Sequence, residues 1–109
     1  MVTLRKKDNI GKKDALMKNL LYEKVAVIHN KEGETPVTVA FVEVEKTLSD
    51  VDKAEKAFML TNSIDDGWWN NKDVTKMFPN KTCRSTSTGD MVLIGTKKYK
   101  CEAVGWTEV

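Results

Sequence analysis

The sequence predicts a small α+β protein, a single domain in which an antiparallel sheet of N-terminal and C-terminal hairpins packs against one or two helices. The chain has 109 residues, and 40% of them are hydrophobic, which suffices for one modest core. Residues 37–44 are rich in strand-forming residues, and apolar residues alternate with polar ones in residues 98–104. Between them, the apolar residues of segment 49–62 recur at the spacing of a helix.

A basic arm and a short helix are predicted at the N-terminus. Residues 1–12 are polar and basic, so we expect a loose arm in front of the domain at 13–109. Residues 13–22 carry one apolar stripe at helical spacing, formed by Leu16, Met17, Leu20 and Leu21.

The first hairpin is predicted from two strands, at residues 25–28 and 37–44, joined by a turn-rich loop. The apolar pattern of the second strand changes phase between Phe41 and Val42. This change indicates either a β-bulge or a strand that is covered on both faces.

The clearest helix is predicted over residues 49–62. Ser49 followed by Asp52 resembles a capping box at its start. One face of this helix is expected to carry Val51, Ala54, Ala57, Phe58 and Thr61.

The stretch that follows is turn-rich and contains Trp68 and Trp69. Asn71 is predicted to cap a short turn of helix that runs through Met77 and ends at Pro79.

The C-terminal third predicts a second hairpin. Its strands are expected at residues 90–94 and 98–104, with a turn at 95–97. Gly105 is predicted to bend the chain before a final short strand to Val109.

Composition narrows the functional classes. The formal net charge is +2, too small to imply a polyanionic partner. No apolar run approaches the ~20 residues that cross a bilayer, and no signal-peptide core follows the basic N-terminus, so we expect no membrane partner and a cytoplasmic location.

The sequence predicts no metal, no cofactor and no catalytic machinery. Cys83 and Cys101 lack the spacing of metal ligands, and whether they form a disulfide stays open. His29 is interpreted as a solvated turn residue, since no pattern ties it to Ser85, Ser87 or Cys83 as the base of a nucleophile pair. We therefore predict that the protein is not an enzyme.

The tryptophan pair is one candidate binding surface. Successive side chains of an extended segment point to opposite faces, so one of Trp68 and Trp69 is expected in the core and the other partly exposed. An exposed tryptophan beside Asn70 and Asn71 suits a partner-binding corner, and the alternative is that both rings cover the edge of a small core.

The hydroxyl-rich run at residues 83–90 is the other candidate. Arg84 could bind a phosphate or carboxylate in bidentate fashion, with hydrogen bonds donated by Ser85, Thr86 and Ser87. The alternative that we favour is structural: the hydroxyls satisfy backbone groups where the loop enters the sheet, and Gly89 with Asp90 forms the turn.

Three blocks, AFMLTNSIDDGWWNN, RSTSTGDMV and YKCEAVGWTEV, resemble a group of small phage and mobile-element proteins, and their ends are similar to the YodL-like domain. The resemblance covers residues 56–109 and leaves the N-terminal half unmatched. Thr88 and Met91 depart from the Val and the Val or Ile expected there. The matching positions are Arg84, Ser85, Ser87, Gly89, Asp90, Tyr99, Gly105 and Trp106.

What the resemblance implies is a phage accessory protein that acts on a host or viral macromolecule, with no catalytic residues to carry over. Our leading hypothesis is a non-enzymatic accessory protein that binds a host or phage protein, in host takeover or anti-defence. Its binding residues are expected to be Trp68, Trp69, Asn70, Asn71, Arg84, Ser85, Ser87 and Asp90.

Two other hypotheses stay open. A nucleic-acid-binding module would stack an exposed tryptophan on a base and meet phosphates through Arg84, Lys97, Lys98 and Lys100. A small hydrolase would use Ser85 or Cys83, and the sequence offers no base that converges on either.

Overall fold

The computed structural model describes residues 19–62 and 67–109. These residues form one six-stranded antiparallel sheet in the order β3-β2-β1-β4-β5-β6. The strands are β1 (Tyr22–His29), β2 (Val37–Glu45), β3 (Val74–Lys76), β4 (Met91–Ile94), β5 (Lys97–Cys101) and β6 (Trp106–Glu108). Two further elements are the α-helix α1 (Asp50–Leu60) and a short 3-10 helix (Trp68–Asn70). The predicted α+β class is confirmed.

Both predicted hairpins are present and join at the centre of the sheet. In the first, β1 pairs with β2 across the loop at residues 30–36. In the second, β4 pairs with β5, and the central junction is the antiparallel pairing of β1 with β4.

Strand β2 contains a β-bulge, one of the two alternatives that its apolar pattern left open. Val27 pairs with Ala40 and Ile28 pairs with Thr38, so Val39 is the extra residue. The bulge therefore lies at Val39 and not at the predicted change of phase between residues 41 and 42.

Helix α1 begins as predicted, because the Ser49 side chain accepts a hydrogen bond from the Asp52 amide at 3.1 Å. Its inner face packs on β1, β2 and β4, and the buried residues include Ala54 and Ala57. Small residues here let the helix lie close to the sheet. Val51 is 54% exposed, so its predicted place on the inner face is wrong.

The core lies between α1 and one face of the sheet. Alternate residues of the central strands point into it, as expected for strands with one covered face. Its fully buried side chains include Val25, Val27, Val42, Val44 and Val92.

The predicted helix from Asn71 to Met77 is wrong, because residues 74–76 form strand β3 and pair with β2. The Asn71 side chain does accept a local hydrogen bond, from the Asp73 amide at 2.8 Å. This bond closes a turn and not a helix cap, since Val74 then pairs with Val42 at the edge of the sheet.

At the C-terminus, β5 ends at Cys101, three residues before the predicted end. The Glu102 amide donates to the Gly105 carbonyl at 3.0 Å and closes a turn in which Gly105 has a positive φ of 78°. The predicted bend and final short strand are confirmed, and Val104 at the tip of the turn is 93% exposed.

The predicted basic arm at residues 1–12 lies outside the described residues. So does most of the predicted helix at 13–22. Of its residues, 19–22 are described: residues 19–21 are helical, and Tyr22 begins β1.

Candidate functional site

The loop at residues 82–90 lies against one end of the sheet and is fixed to three elements. Thr86 binds the end of α1, since its amide donates to the Thr61 carbonyl at 3.0 Å and its carbonyl accepts from Asn62 Nδ2 at 2.7 Å. The Asn30 side chain, just after β1, donates to the Gly89 carbonyl at 3.3 Å. The Gly89 amide donates to the Cys101 carbonyl of β5 at 2.8 Å.

Asp90 is the anchor of this loop. Its carboxylate is 1% exposed and accepts from both Nη atoms of Arg84 at 2.7 and 2.8 Å. It also accepts from the backbone amides of Asn30 and Ser87, each at 2.8 Å. Burial acts to raise the pKa of Asp90, but the bonds from Arg84, Asn30 and Ser87 outweigh it and lower that pKa. The carboxylate therefore stays charged inside the fold.

Arg84 is thus engaged within its own chain. It makes the bidentate contact that the sequence suggested for a ligand, but to Asp90. The bond to Asp90 raises the pKa of Arg84 further above its ordinary value. The Arg84 side chain is 42% exposed, so the outer edge of the pair faces solvent.

His29 is not a solvated turn residue, and that prediction is wrong. It is the last residue of β1 and is 8% exposed. Like Val25 and Val27 it points to the helix side of the sheet, because alternate residues of a strand share a face. Burial lowers the pKa of His29, although the Asp90 carboxylate opposes this effect.

The His29 ring links two parts of the chain that are far apart in sequence. Its Nε2 lies 3.0 Å from Thr86 Oγ1 and 4.0 Å from Asp90 Oδ2. Its Nδ1 lies 3.6 Å from Cys83 Sγ. We call His29, Thr61, Cys83, Thr86 and Asp90 the His29 cluster.

Cys83 belongs to the His29 cluster and also lines an open groove. It is half-buried and a free thiol, and Cys101 is also free, so the two cysteines do not form a disulfide. Burial raises the pKa of the Cys83 thiol. The groove has a volume of about 570 Å³, and its apolar wall is formed by Val37, Val39, Phe78 and Pro79.

The two tryptophans differ in exposure as predicted, although residues 68–70 form a 3-10 helix and not an extended segment, and both rings pack against the core. Trp68 is buried at 3% exposure, and Trp69 is partly buried against the core with its ring 5.5 Å from that of Trp68. Asn70 and Asn71 are exposed. Trp68 Nε1 donates to the Arg84 carbonyl at 3.2 Å, so the corner and the loop are joined directly.

Hydroxyl or carbonyl groups of residues 85–87 of the loop have specific partners. Thr86 is fully buried, and its Oγ1 lies 2.8 Å from Thr61 Oγ1. Ser87 Oγ accepts from Arg84 at 3.4 Å, and Ser85 uses its carbonyl to accept from the same guanidinium at 3.1 Å.

The basic residues of the nucleic-acid hypothesis do not form one patch. Tyr99 lies on the helix side of β5, because its hydroxyl donates to Asp50 of α1 at 2.8 Å. Lys97 is two residues from Tyr99 in the strand and therefore lies on the same face. Lys98 and Lys100 alternate with them on the opposite face. Arg84 is held by Asp90 on the helix side.

The described residues lack two features that would point to a function. Within residues 19–62 and 67–109, no group of three or more His, Cys, Asp or Glu side chains could hold a metal ion. No helix in the same part of the chain is long and apolar enough to cross a membrane.

Comparison with protein-family models, with curated proteins and with solved structures gave no match.

The contact between His29 and Cys83 was not predicted from the sequence. One local signal was present, since the period of two that buries Val25 and Val27 also places His29 on the core side. The position of Cys83 had no comparable signal, because it depends on a contact between residues 54 positions apart.

Proposed function

We propose that this chain is a non-enzymatic accessory protein of the phage type that binds a host or viral protein in the host cytoplasm. The binding surface consists of the exposed and half-buried members of the tryptophan corner and the adjoining loop: Trp69, Asn70, Asn71, Arg84, Ser85 and Ser87. Trp68 and Asp90 are buried and hold this surface in place.

The observation that carries the proposal is the hydrogen bond from Trp68 to the Arg84 carbonyl. It joins the tryptophan corner to the loop at residues 82–90, the two segments that the sequence offered as separate candidates. This surface combines a half-buried aromatic ring, two amide side chains and one guanidinium, a composition that is enriched at the centres of protein interfaces.

The rigidity of the surface also supports binding. Trp69 packs edge-on against both Trp68 and Phe78, with ring centroids 5.5 and 5.6 Å apart. Arg84 is held in one orientation by two hydrogen bonds to Asp90. Side chains that are already ordered lose less conformational entropy on association.

Affinity capture from a host lysate, compared between the wild type and surface variants, tests the proposal. We expect a discrete partner whose recovery falls at least about tenfold with Trp69→Ala or Asn70→Ala, since anchor residues contribute about 2 kcal/mol or more. Val104→Ser is the matched control, because Val104 is 93% exposed in a turn on the far side of β5. Equal recovery with all three variants would refute the proposal.

The nucleic-acid hypothesis is an outcome of the same experiment. If the captured material were DNA or RNA, and binding fell steeply as salt increased, the protein-binding proposal would be wrong.

A further inference from the structure

The His29 cluster has a feature that binding to a partner does not require. A thiol and an imidazole meet at 3.6 Å at the edge of a groove, and the imidazole is held from behind by buried hydroxyls. The hydrogen bonds along the cluster determine which atom carries each proton.

The first of these hydrogen bonds is made by Thr61, at the end of α1. Thr61 Oγ1 lies 2.7 Å from the Ala57 carbonyl and 2.8 Å from Thr86 Oγ1. A hydroxyl has one proton and a carbonyl oxygen can only accept, so the arrangement that satisfies Ala57 has Thr61 donating to it. The proton between the two threonines then belongs to Thr86.

The consequence for His29 is a single tautomer. Thr86 Oγ1 has given its proton to Thr61, so it accepts from His29 Nε2–H at 3.0 Å. The Asp90 carboxylate, 4.0 Å from Nε2, favours the proton on the same nitrogen. A neutral ring with its proton on Nε2 has a lone pair on Nδ1, the atom that faces Cys83 Sγ.

We infer that Cys83 is an acyl-accepting nucleophile with His29 as its general base, and that the groove takes the apolar part of an activated acyl ester or thioester. As Sγ bonds to the carbonyl carbon, the thiol proton passes to His29 Nδ1. The bond from that carbon to the leaving oxygen or sulfur then breaks, and the leaving group takes the proton from Nδ1. The products are acylated Cys83 and a free alcohol or thiol.

The environment of the pair fits this order of events. Burial raises the pKa of Cys83 and lowers that of His29, so both groups are neutral before reaction. The same shifts oppose a free transfer of the thiol proton, so His29 Nδ1 receives it only as the bond from Sγ to the carbonyl carbon forms. The charged groups near the imidazole are Asp90 and Arg84, which neutralise each other, and Lys31 and Glu34 line the groove. The wall formed by Val37, Val39, Phe78 and Pro79 offers apolar surface to an acyl chain.

Reaction with p-nitrophenyl acetate and p-nitrophenyl hexanoate tests the inference. We expect a burst of one p-nitrophenol per chain, faster with the hexanoate, and the acyl group on the peptide that contains Cys83. Cys101 is the internal control, since it is buried and its Sγ contacts the Glu102 carbonyl and no imidazole. No burst is expected from Cys83→Ala.

Variants of the cluster separate a base from a merely structural residue. We expect His29→Gln to slow the acylation of Cys83 by at least about tenfold, because general bases contribute about 10²–10⁴-fold to rates. Thr86→Val removes the acceptor that fixes the tautomer and should also slow it, whereas Thr86→Ser keeps the hydroxyl and should retain the rate.

Nitrogen-15 NMR of the imidazole provides a readout that does not depend on reactivity. The Nε2–H tautomer is expected in the wild type and in Thr86→Ser, and a mixture of tautomers in Thr86→Val. Acyl transfer to other residues, or wild-type rates in both His29→Gln and Thr86→Val, would overturn the inference. If His29→Gln does not fold, the comparison of Thr86→Val with Thr86→Ser decides.

Discussion

Replacing Asp90 by Asn tests whether a charged carboxylate holds the loop and the site together. The variant keeps one oxygen, which can accept from only one of the two amides that now bind the carboxylate, those of Asn30 and Ser87. A buried donor left without a partner costs about 1–3 kcal/mol. The lost pair with Arg84 adds no more than ~1 kcal/mol, because the Arg84 side chain is 42% exposed.

The sum predicts a loss of roughly 1–4 kcal/mol in the free energy of unfolding of the Asp90→Asn variant at about pH 7. For a domain of this size, each kcal/mol lowers the midpoint of thermal unfolding by about 4–8 °C. Urea unfolding, followed by tryptophan fluorescence, measures the free energy, and calorimetry measures the midpoint. Glu32→Gln, an exposed change in the loop between β1 and β2, is the matched control and should have little effect.

The sign of the pH dependence follows from the lowered pKa of Asp90. Below the unfolded pKa of ~3.9, the unfolded chain binds a proton at this group before the folded chain does, so this stabilisation is lost as the pH falls. The difference between wild type and variant should therefore shrink as the pH falls below about 4. A loss below ~1 kcal/mol at neutral pH, or a difference that stays constant through the acid range, would refute this account of Asp90.

Three further predictions concern other parts of the structure. Ser49→Ala should lower the free energy of unfolding by about 1 kcal/mol through loss of the helix cap, and Ser49→Asp should not, as measured by urea unfolding. Gly67→Ala should shift the tryptophan emission spectrum, because the new Cβ would lie 2.6 Å from the Trp69 ring and displace it. In an absorbance titration, Tyr99 should ionise with a pKa of about 12, raised chiefly by its hydrogen bond to Asp50, and Asp50→Asn should lower that pKa.

The elements that the sequence predicted correctly are those with local causes. Helix α1 has a capping residue at Ser49 and small apolar residues at helical spacing, so its start and inner face could be recognised. The final turn depends on Gly105, whose positive φ is accessible to glycine at little cost. Both features follow from residues close together in the chain.

The errors occurred where distant partners decide the structure. Val74 and Thr75 are β-branched and favour a strand, but a run of three residues is too short to predict one, and it becomes β3 because the edge of β2 offers hydrogen bonds. His29 ends β1 and precedes turn-forming residues, and its ring contacts Thr86, 57 positions away. The site could be predicted as a list of residue types near Arg84, but not as a cluster centred on an imidazole.

The junction of the two hairpins has a consequence for how the protein folds. Each hairpin can form from neighbouring residues, whereas the pairing of β1 with β4 must close a long loop and is expected to form later. The His29 cluster crosses this junction, as does the bond from the Asn30 amide to Asp90, 60 positions away. Slow hydrogen exchange at Asn30 would therefore report that the two halves have joined, and a chain that is only half assembled would lack the thiol–imidazole pair altogether.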